Sequence, residues 1–346
     1  MSKRVLVAMS GGVDSSAAAA VLLEKGYEVE GAIMLLSPCD DGSAVNDAKY
    51  VADKLKIKLH VFDFRDEFES NVIADFSKTY CKGMTPNPCV ICNKKIKFGV
   101  FLDKALEMGF DLIATGHYAK IEQNKERYSL YRTNSAKDQT YVLYNLNQRI
   151  LKHVIFPLSE IEDKAYVRNL AQKLCPKVAA KPDSQEICFI PDDDYSGFIK
   201  SQGVEMPQGN FVDLNGNILG THKGIFNYTV GQRKGLGISL GKPQFVVKID
   251  TQRNEVVLGD NSDTFSTALE ASELNFISGA TPEAPVKLTA KVRYSAKDVP
   301  VTLAVTDGIA KVEFDSPERA ITPGQAIVFY DNDEVIGGGT IIRSLS

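Results

Sequence analysis

Near the N-terminus, Ser10-Gly11-Gly12-Val13-Asp14-Ser15-Ser16 follows the apolar run Val5 to Met9 and precedes an alanine-rich stretch. Strand, glycine turn and helix in that order make a cradle for phosphate. The glycines let successive N–H groups face one anion, and the positive end of the helix adds to the attraction. Ser10, Ser15 and Ser16 offer hydroxyl donors, and Asp14 can hold Mg2+. No lysine is present, which separates this loop from the GxxxxGK[ST] type that grips the outer phosphates for transfer. An isolated glycine pair often marks nothing more than a turn before a capped helix. Position and hydroxyl density favour anion binding here.

Sulfur supplies the second kind of chemistry. Thr85-Pro86-Asn87-Pro88-Cys89-Val90-Ile91-Cys92-Asn93 holds a C-x-x-C pair in a segment stiffened by two prolines, just before the basic run Asn93 to Lys97. A thiol at a helix N-terminus beside lysines is expected to have a lowered pKa. On residue types alone the pair fits half a zinc site, a redox dithiol or two buried cysteines, although zinc normally takes a second pair and none stands at suitable spacing. Cys188, in Lys181-Pro182-Asp183-Ser184-Gln185-Glu186-Ile187-Cys188-Phe189-Ile190, is flanked by apolar residues and reads equally well as core.

Elements of alternating type must position these groups. Val5 to Met9, Val29 to Leu36, Leu59 to Phe64 and Leu112 to Ala114 read as buried strands, with amphipathic helices over Ser43 to Lys56 and Lys94 to Met108. Gly26 and Gly109 stand where helices should end. This is the pattern of a doubly wound parallel sheet, in which ligands bind beyond the carboxyl ends of strands. The glycine loop lies at such an end, and so does Thr115-Gly116-His117-Tyr118. After about residue 198 the pattern becomes antiparallel. Phe211 to Ile218 is a hairpin around Asn215-Gly216, and Phe245 to Leu258 is another. Val286, Leu288, Ala290 and Val292 alternate with polar residues, and Val301, Leu303 and Val305 lead into Asp307-Gly308, as in a small barrel.

With 346 residues, 44% apolar and 24% charged, the chain can fold into two or three cored domains. Its six cysteines, at 39, 81, 89, 92, 175 and 188, are too sparse for a disulfide-stapled secreted scaffold. The apolar stretch behind Lys3 and Arg4 is too short for a signal peptide, and nothing reaches the length of a membrane span. A cytoplasmic protein with no membrane partner is therefore expected. The net charge of −4 argues against an all-over nucleic-acid coat, yet Thr221 to Arg253 carries six basic residues against Asp250 alone. Such a patch can be simply a solvated surface.

SGGVDSS resembles the pyrophosphate loop of the N-type ATP pyrophosphatases, which cut ATP to AMP and pyrophosphate. Together with TPNPCVICNKKIKF, ATGHY, KDQTYVLY, KPDSQEICFI, YTVGQRKGLGI, KVRYS and RAITPGQAIVFYD, in order along nearly the whole chain, it resembles the bacterial tRNA-specific 2-thiouridylases. The resemblance implies an α/β adenylating domain over 1–198, a small β-rich domain over 199–272 and a C-terminal antiparallel β-barrel over 273–346 that contacts tRNA. It implies ATP-dependent 2-thiolation of the wobble uridine. The 2-carbonyl oxygen is a poor leaving group, and adenylation makes AMP the departing species.

By matching motif, Cys188 would carry the persulfide, and Cys92 would be the second thiol, closing a disulfide with Cys188. Ala8, Met9, Ser10, Gly11, Gly12, Val13, Asp14, Ser15, Met34 and Gly116 would enclose ATP, with Mg2+ at Asp14 and no other metal ligand assigned. Asn87, Pro88, Cys89, Lys137, Asp138 and Gln139 would approach the RNA near its target base, with His117 alongside. Arg293, Tyr294 and Gln325 would contact tRNA from the barrel, and the basic central stretch would grip phosphates. A persulfide donor, a cysteine desulfurase or a sulfur-relay protein, is implied as partner.

Many family members have aspartate where this chain has Cys89. Cys89, Cys92 and Cys188 also resemble the three-cysteine pattern by which related thiolases hold an iron–sulfur cluster, which gives an alternative mechanism. Adenylating relatives that attack with nitrogen would need neither Cys92 nor Cys188. A more distant alternative is a non-catalytic RNA-binding protein that keeps a vestigial loop.

Overall fold

The computed structural model describes residues 2–37, 42–125, 127–161, 163–180, 187–190, 194–205 and 207–345. Cys39 and residues 181–186 of the Cys188 motif lie outside the described residues.

The first sheet is parallel, with β1 (Arg4–Ala8), β2 (Glu28–Leu35), β3 (Leu59–Asp63), β4 (Leu112–Ala114) and β7 (Val154–Ile155) in the order β3-β2-β1-β4-β7. β1 is central, and its residues alternate between two cores. Val5 and Val7 face α1 (Val13–Glu24), α2 (Ser43–Leu55) and the helix Lys164–Leu174 through Ala17, Ala18, Leu22, Ala48, Val51, Val167 and Ala171. Leu6 and Ala8 face the opposite side, with Phe68, Phe76, Phe101 and Leu102. α1 is buried almost all round, as its alanine run allows. β2 lies on one side of β1 and β4 on the other, so a crevice opens beyond their carboxyl ends. Gly26 and Gly109 adopt φ of 81° and 79°, as expected of residues that end helices.

The helix expected over Lys94 to Met108 forms in two styles. It continues from α3 (Pro88–Cys92) through a π-helical stretch, Asn93–Val100, into α4 (Phe101–Glu107). The wide turns come where Gly99 leaves helical geometry.

Two further sheets follow. β8 (Gly209–Val212), β9 (Ile218–His222), β10 (Phe245–Asp250) and β11 (Glu255–Gly259) form the order β10-β11-β8-β9 around Phe211, Tyr228, Val246 and Leu258. Both expected hairpins are present. The barrel comprises β12 (Phe265–Phe276), β13 (Val286–Lys291), β14 (Val299–Thr306), β15 (Ile309–Arg319), β16 (Ala326–Asp331) and β17 (Glu334–Leu345), closed by pairing of β12 with β17. Since β12 starts at Phe265, the 272/273 division runs through this strand. Asp307 and Gly308, with φ of 50° and 75°, turn β14 into β15.

One excursion joins the ends of the molecule. β5 (Lys120–Asn124) and β6 (Arg127–Tyr131) form a hairpin that leaves the α/β unit and pairs with the barrel, Tyr131 opposite Glu334. Tyr141, Tyr144, Ile277, Val328 and Tyr330 belong to the same apolar cluster as Leu6 and Phe101, so the first unit and the barrel share one core. The Tyr141 hydroxyl donates to the Ala326 carbonyl at 2.8 Å, and Asn275 Nδ2 donates to the carbonyls of Tyr144 and Leu146 at 2.6 and 2.9 Å.

Candidate active site

The glycine loop occupies the crevice at the end of β1. Gly11 has φ of 65°, and a Cβ there would meet the Ala44 carbonyl oxygen at 2.7 Å. Gly12 is the N-cap of α1 and has no side chain with which to cap it. The first N–H groups of the helix are therefore open to an anion. Two of the three expected hydroxyl donors are turned inward. Ser16 Oγ donates to the Gly12 carbonyl at 2.8 Å, and Ser15 Oγ accepts from the Ser10 N–H at 3.1 Å and donates to the Gly12 carbonyl at 3.2 Å. Both are buried, and they stiffen the loop rather than line it; Ser10 is exposed. Met34 ends up near the carboxyl end of β2.

Gly116 closes the loop from the β4 side. A Cβ there would meet the carbonyl carbon of Asp14 and the nitrogen of Ser15, each at 2.8 Å. Two residues on, buried Tyr118 donates its hydroxyl to Asp14 Oδ1 at 2.9 Å. Tyr118 is in turn fixed by Gln139, whose Oε1 accepts from the Tyr118 N–H at 3.0 Å and whose N–H donates to the Tyr118 carbonyl at 2.9 Å. Lys137 Nζ lies 3.7 Å from Asp14 Oδ2. Sequence reading gave Tyr118 no role; its place after β4, in the ATGHY motif, was the available signal.

His117 is buried and does not face the loop. Its Nδ1 lies 2.7 Å from Thr115 Oγ1, and its ring sits among Phe98 and Phe156. Burial holds its pKa well below 6.5, so the ring is neutral at physiological pH.

The thiols meet from distant parts of the chain. Asn87 caps α3 by accepting from the Val90 N–H at 3.4 Å, and Pro88 opens the helix, which leaves Cys89 exposed in the first turn. Cys92 is half-buried against the aromatic core. Its pKa is raised, first by burial and further by Cys89, with Lys97 opposing. The lowered value expected from sequence is thus corrected: the helix runs on past Cys92, which puts the thiol in mid-helix and away from water. Cys188 sits on a turn closed by the Ile190 N–H donating to the Ile187 carbonyl at 2.9 Å. Phe189 anchors that turn edge-on to Phe76 and Phe68, at ring distances of 5.3 and 5.6 Å. The thiol is exposed on one side, but the protein crowding its other sides, with Cys92 and Cys89 nearby, pushes its pKa up to about 11. Solvent on the open side works against that push. Cys89, Cys92 and Cys188 are within electrostatic reach of one another.

The iron–sulfur alternative finds no support in this geometry. Among the described residues, no three His, Cys, Asp or Glu side chains are arranged to hold a metal ion.

The barrel reaches the same region. The exposed Tyr294 hydroxyl donates to the Asp138 carbonyl at 3.2 Å, and its ring meets Tyr141 edge-on. Arg293 lies within electrostatic reach of the buried, neutral Tyr141 phenol. Asp138 accepts from Thr140 Oγ1 at 2.7 Å, and burial raises its pKa. Gln325 turns its amide onto the segment before Cys89, donating to the carbonyls of Thr85 and Pro86 at 3.1 and 3.0 Å.

Three family models match in order: a tRNA methyl transferase HUP domain over residues 3–192, a tRNA methyl transferase PRC-barrel domain over 196–260 and an aminomethyltransferase beta-barrel domain over 266–341. Along its whole length the chain is 52% identical to the tRNA-specific 2-thiouridylase MnmA of Acetivibrio thermocellus, covering 98% of this chain and 99% of that one. The chain belongs to the tRNA-specific 2-thiouridylase family. The 2-thiouridylase of Clostridioides difficile is 49% identical, covering 100% and 99% of the two chains, and that of Carboxydothermus hydrogenoformans 50%, covering 99% and 98%. The domain descriptions speak of methyl transfer, whereas the full-length 2-thiouridylases match from end to end and so decide the family. The motif resemblance is confirmed, and the α/β unit, small middle unit and closed barrel stand in the expected order.

Proposed function

We propose that this chain is a tRNA-uridine 2-sulfurtransferase that thiolates the wobble uridine at the expense of ATP. The reading is carried by one conjunction: a lysine-free phosphate loop at the switch point of a parallel sheet, in the same molecule as Cys92 and Cys188, which approach each other from separate segments.

In the first step, the uracil 2-oxygen attacks the α-phosphorus of ATP, pyrophosphate leaves, and carbon 2 carries an adenylate. Residues 8–15, Met34 and Gly116 surround the nucleotide. The ATP would arrive with Mg2+, which keeps most of its waters and needs one or two carboxylates beside the phosphates. Asp14 fits that need, since its carboxylate stands in the loop and Tyr118 fixes its orientation. Bound there, the ion would offset phosphate charge.

Next, the terminal sulfur of a persulfide on Cys188 attacks carbon 2 and AMP departs, leaving Cys188 joined to the base through a disulfide. The Cys92 thiolate then attacks Cys188 Sγ. Thiouridine is released, a Cys92–Cys188 disulfide forms, and an external dithiol must reduce it before a cysteine desulfurase or sulfur-relay protein reloads Cys188. Exposure of Cys188 on its turn suits it to receive sulfur from another protein.

Arg293, Tyr294 and Gln325, with Asn87, Pro88, Cys89, Asp138 and Gln139, would hold a splayed anticodon loop, and His117 would support the wall behind it. Reduced thiols suit the cytoplasm, and no described helix is long and apolar enough to cross a membrane. The test is pyrophosphate release with unthiolated tRNA. Release that depends on tRNA and precedes thiolation is expected; release no greater than without tRNA would defeat the reading.

A further inference from the structure

The phosphate loop has the N–H donors of an anion site but no cationic side chain of its own, although ATP and departing pyrophosphate both concentrate negative charge beyond what one Mg2+ neutralises. A cation reaches the loop from a segment far along the chain. Lys137 Nζ lies 3.7 Å from Asp14 Oδ2 and 5.8 Å from the centre of the Tyr118 ring. We infer that Lys137 supplies the charge the loop lacks, placing its ammonium against the phosphates of the bound nucleotide and the pyrophosphate as it leaves. This rests on the adenylation reading and departs from the RNA-contact role that the family resemblance gives Lys137.

Three observations fix the lysine at that post. Its N–H donates to Ser135 Oγ at 3.2 Å, and the Asp138 N–H donates to the Ser135 carbonyl at 3.0 Å, so the backbone on either side of it is held in a turn. Gln139 is locked to Tyr118 by two hydrogen bonds, and Tyr118 to Asp14 by a third. The lysine's carrier segment and the loop are thus braced through the same buried tyrosine. Asp14 offers one oxygen to Tyr118 and turns the other towards Lys137, which leaves the ammonium beside the anion site and about a third exposed. When the bond between the α- and β-phosphates breaks, its electron pair goes to the pyrophosphate. An ammonium stationed there offsets that charge.

Binding of α,β-methylene ATP with Mg2+, in the absence of RNA, tests the assignment on the full chain. Lys137→Met is expected to weaken binding about 10- to 100-fold, the range for losing a hydrogen bond to a charged group. Lys137→Arg should recover most of it. Affinity of Lys137→Met for tRNA, measured without nucleotide, should stay within about twofold of wild type. A Lys137→Met protein that binds the analogue like wild type and loses only tRNA affinity would overturn the inference and make Lys137 an RNA contact. Failure of the wild-type protein itself to bind the analogue would remove the adenylation reading and the inference with it, an outcome visible before any variant is made. Since Lys137 is partly exposed, both variants should fold, and an unchanged circular dichroism melt would confirm it.

Discussion

Gln325 holds Thr85. The amide of the barrel residue donates to the Thr85 carbonyl at 3.1 Å, while the Thr85 N–H donates to the Pro323 carbonyl at 2.8 Å. Gly324 lies between them with φ of 90°, where a Cβ would meet the Thr85 carbonyl oxygen at 2.7 Å. The segment that carries Cys89 and Cys92 therefore hangs from the barrel. Gln325→Ala should slow single-turnover thiolation ~10- to 100-fold through misplacement of that segment, with ATP affinity unchanged. Thiolation as fast as wild type would show that the clamp does not position the thiols.

Gly116→Ala should damage the nucleotide site at modest cost to the fold. Its methyl would press on the backbone of Asp14 and Ser15 at 2.8 Å, and neither can move without reshaping the loop. We expect about 1–3 kcal/mol of lost stability and more than tenfold weaker ATP binding, read by urea unfolding and by titration. Wild-type ATP affinity in this variant would mean that the loop tolerates a shift.

Cys188→Ser should abolish thiolation but preserve tRNA-stimulated pyrophosphate release, because adenylation needs no sulfur. Cys89→Asp should retain activity if the thiol merely replaces the family's usual carboxylate. Chromatography of digested tRNA measures thiolation, and pyrophosphate release measures adenylation. Thiolation surviving in Cys188→Ser would remove the persulfide from that residue.

Two groups give stability opposite pH dependences. His117 has a depressed folded-state pKa, so its contribution is present above the unfolded value of about 6.5 and is lost as pH falls towards the folded value. Each unit of that fall should cost about 1.4 kcal/mol, and His117→Gln should flatten the acid limb in urea titrations. Cys188 is shifted the other way, to about 11 from 9.0, so its contribution is present below pH 9 and lost as pH rises towards 11. Its alkylation by iodoacetamide should accelerate over the same interval. An acid limb unchanged in His117→Gln would show that other groups govern it.

Local pattern explains what was legible. The buried runs of β1, β2 and β4, the glycines that end helices and the turn at Asp307-Gly308 are decided by neighbours in sequence, and they formed where expected. The order of units was carried by motifs. What remained hidden depends on distant partners: the pairing of Tyr131 with Glu334, the closure of β12 on β17, and the burial that raises Cys92 where a helix N-terminus alone would lower it. Ser15 and Ser16 have the right side chains for donating to phosphate, yet the turn consumes them. Composition does not reveal which way a hydroxyl faces.

The interior shared by the α/β unit and the barrel has a mechanical meaning. Tyr141 and Tyr144 on one side and Val328 and Tyr330 on the other cannot separate without exposing aromatic surface to water. The span from the Tyr294 platform to the nucleotide crevice is then a fixed gauge, set when the chain folds. Whatever ligand spans the two surfaces meets a rigid separation there and not a hinge that could close on it.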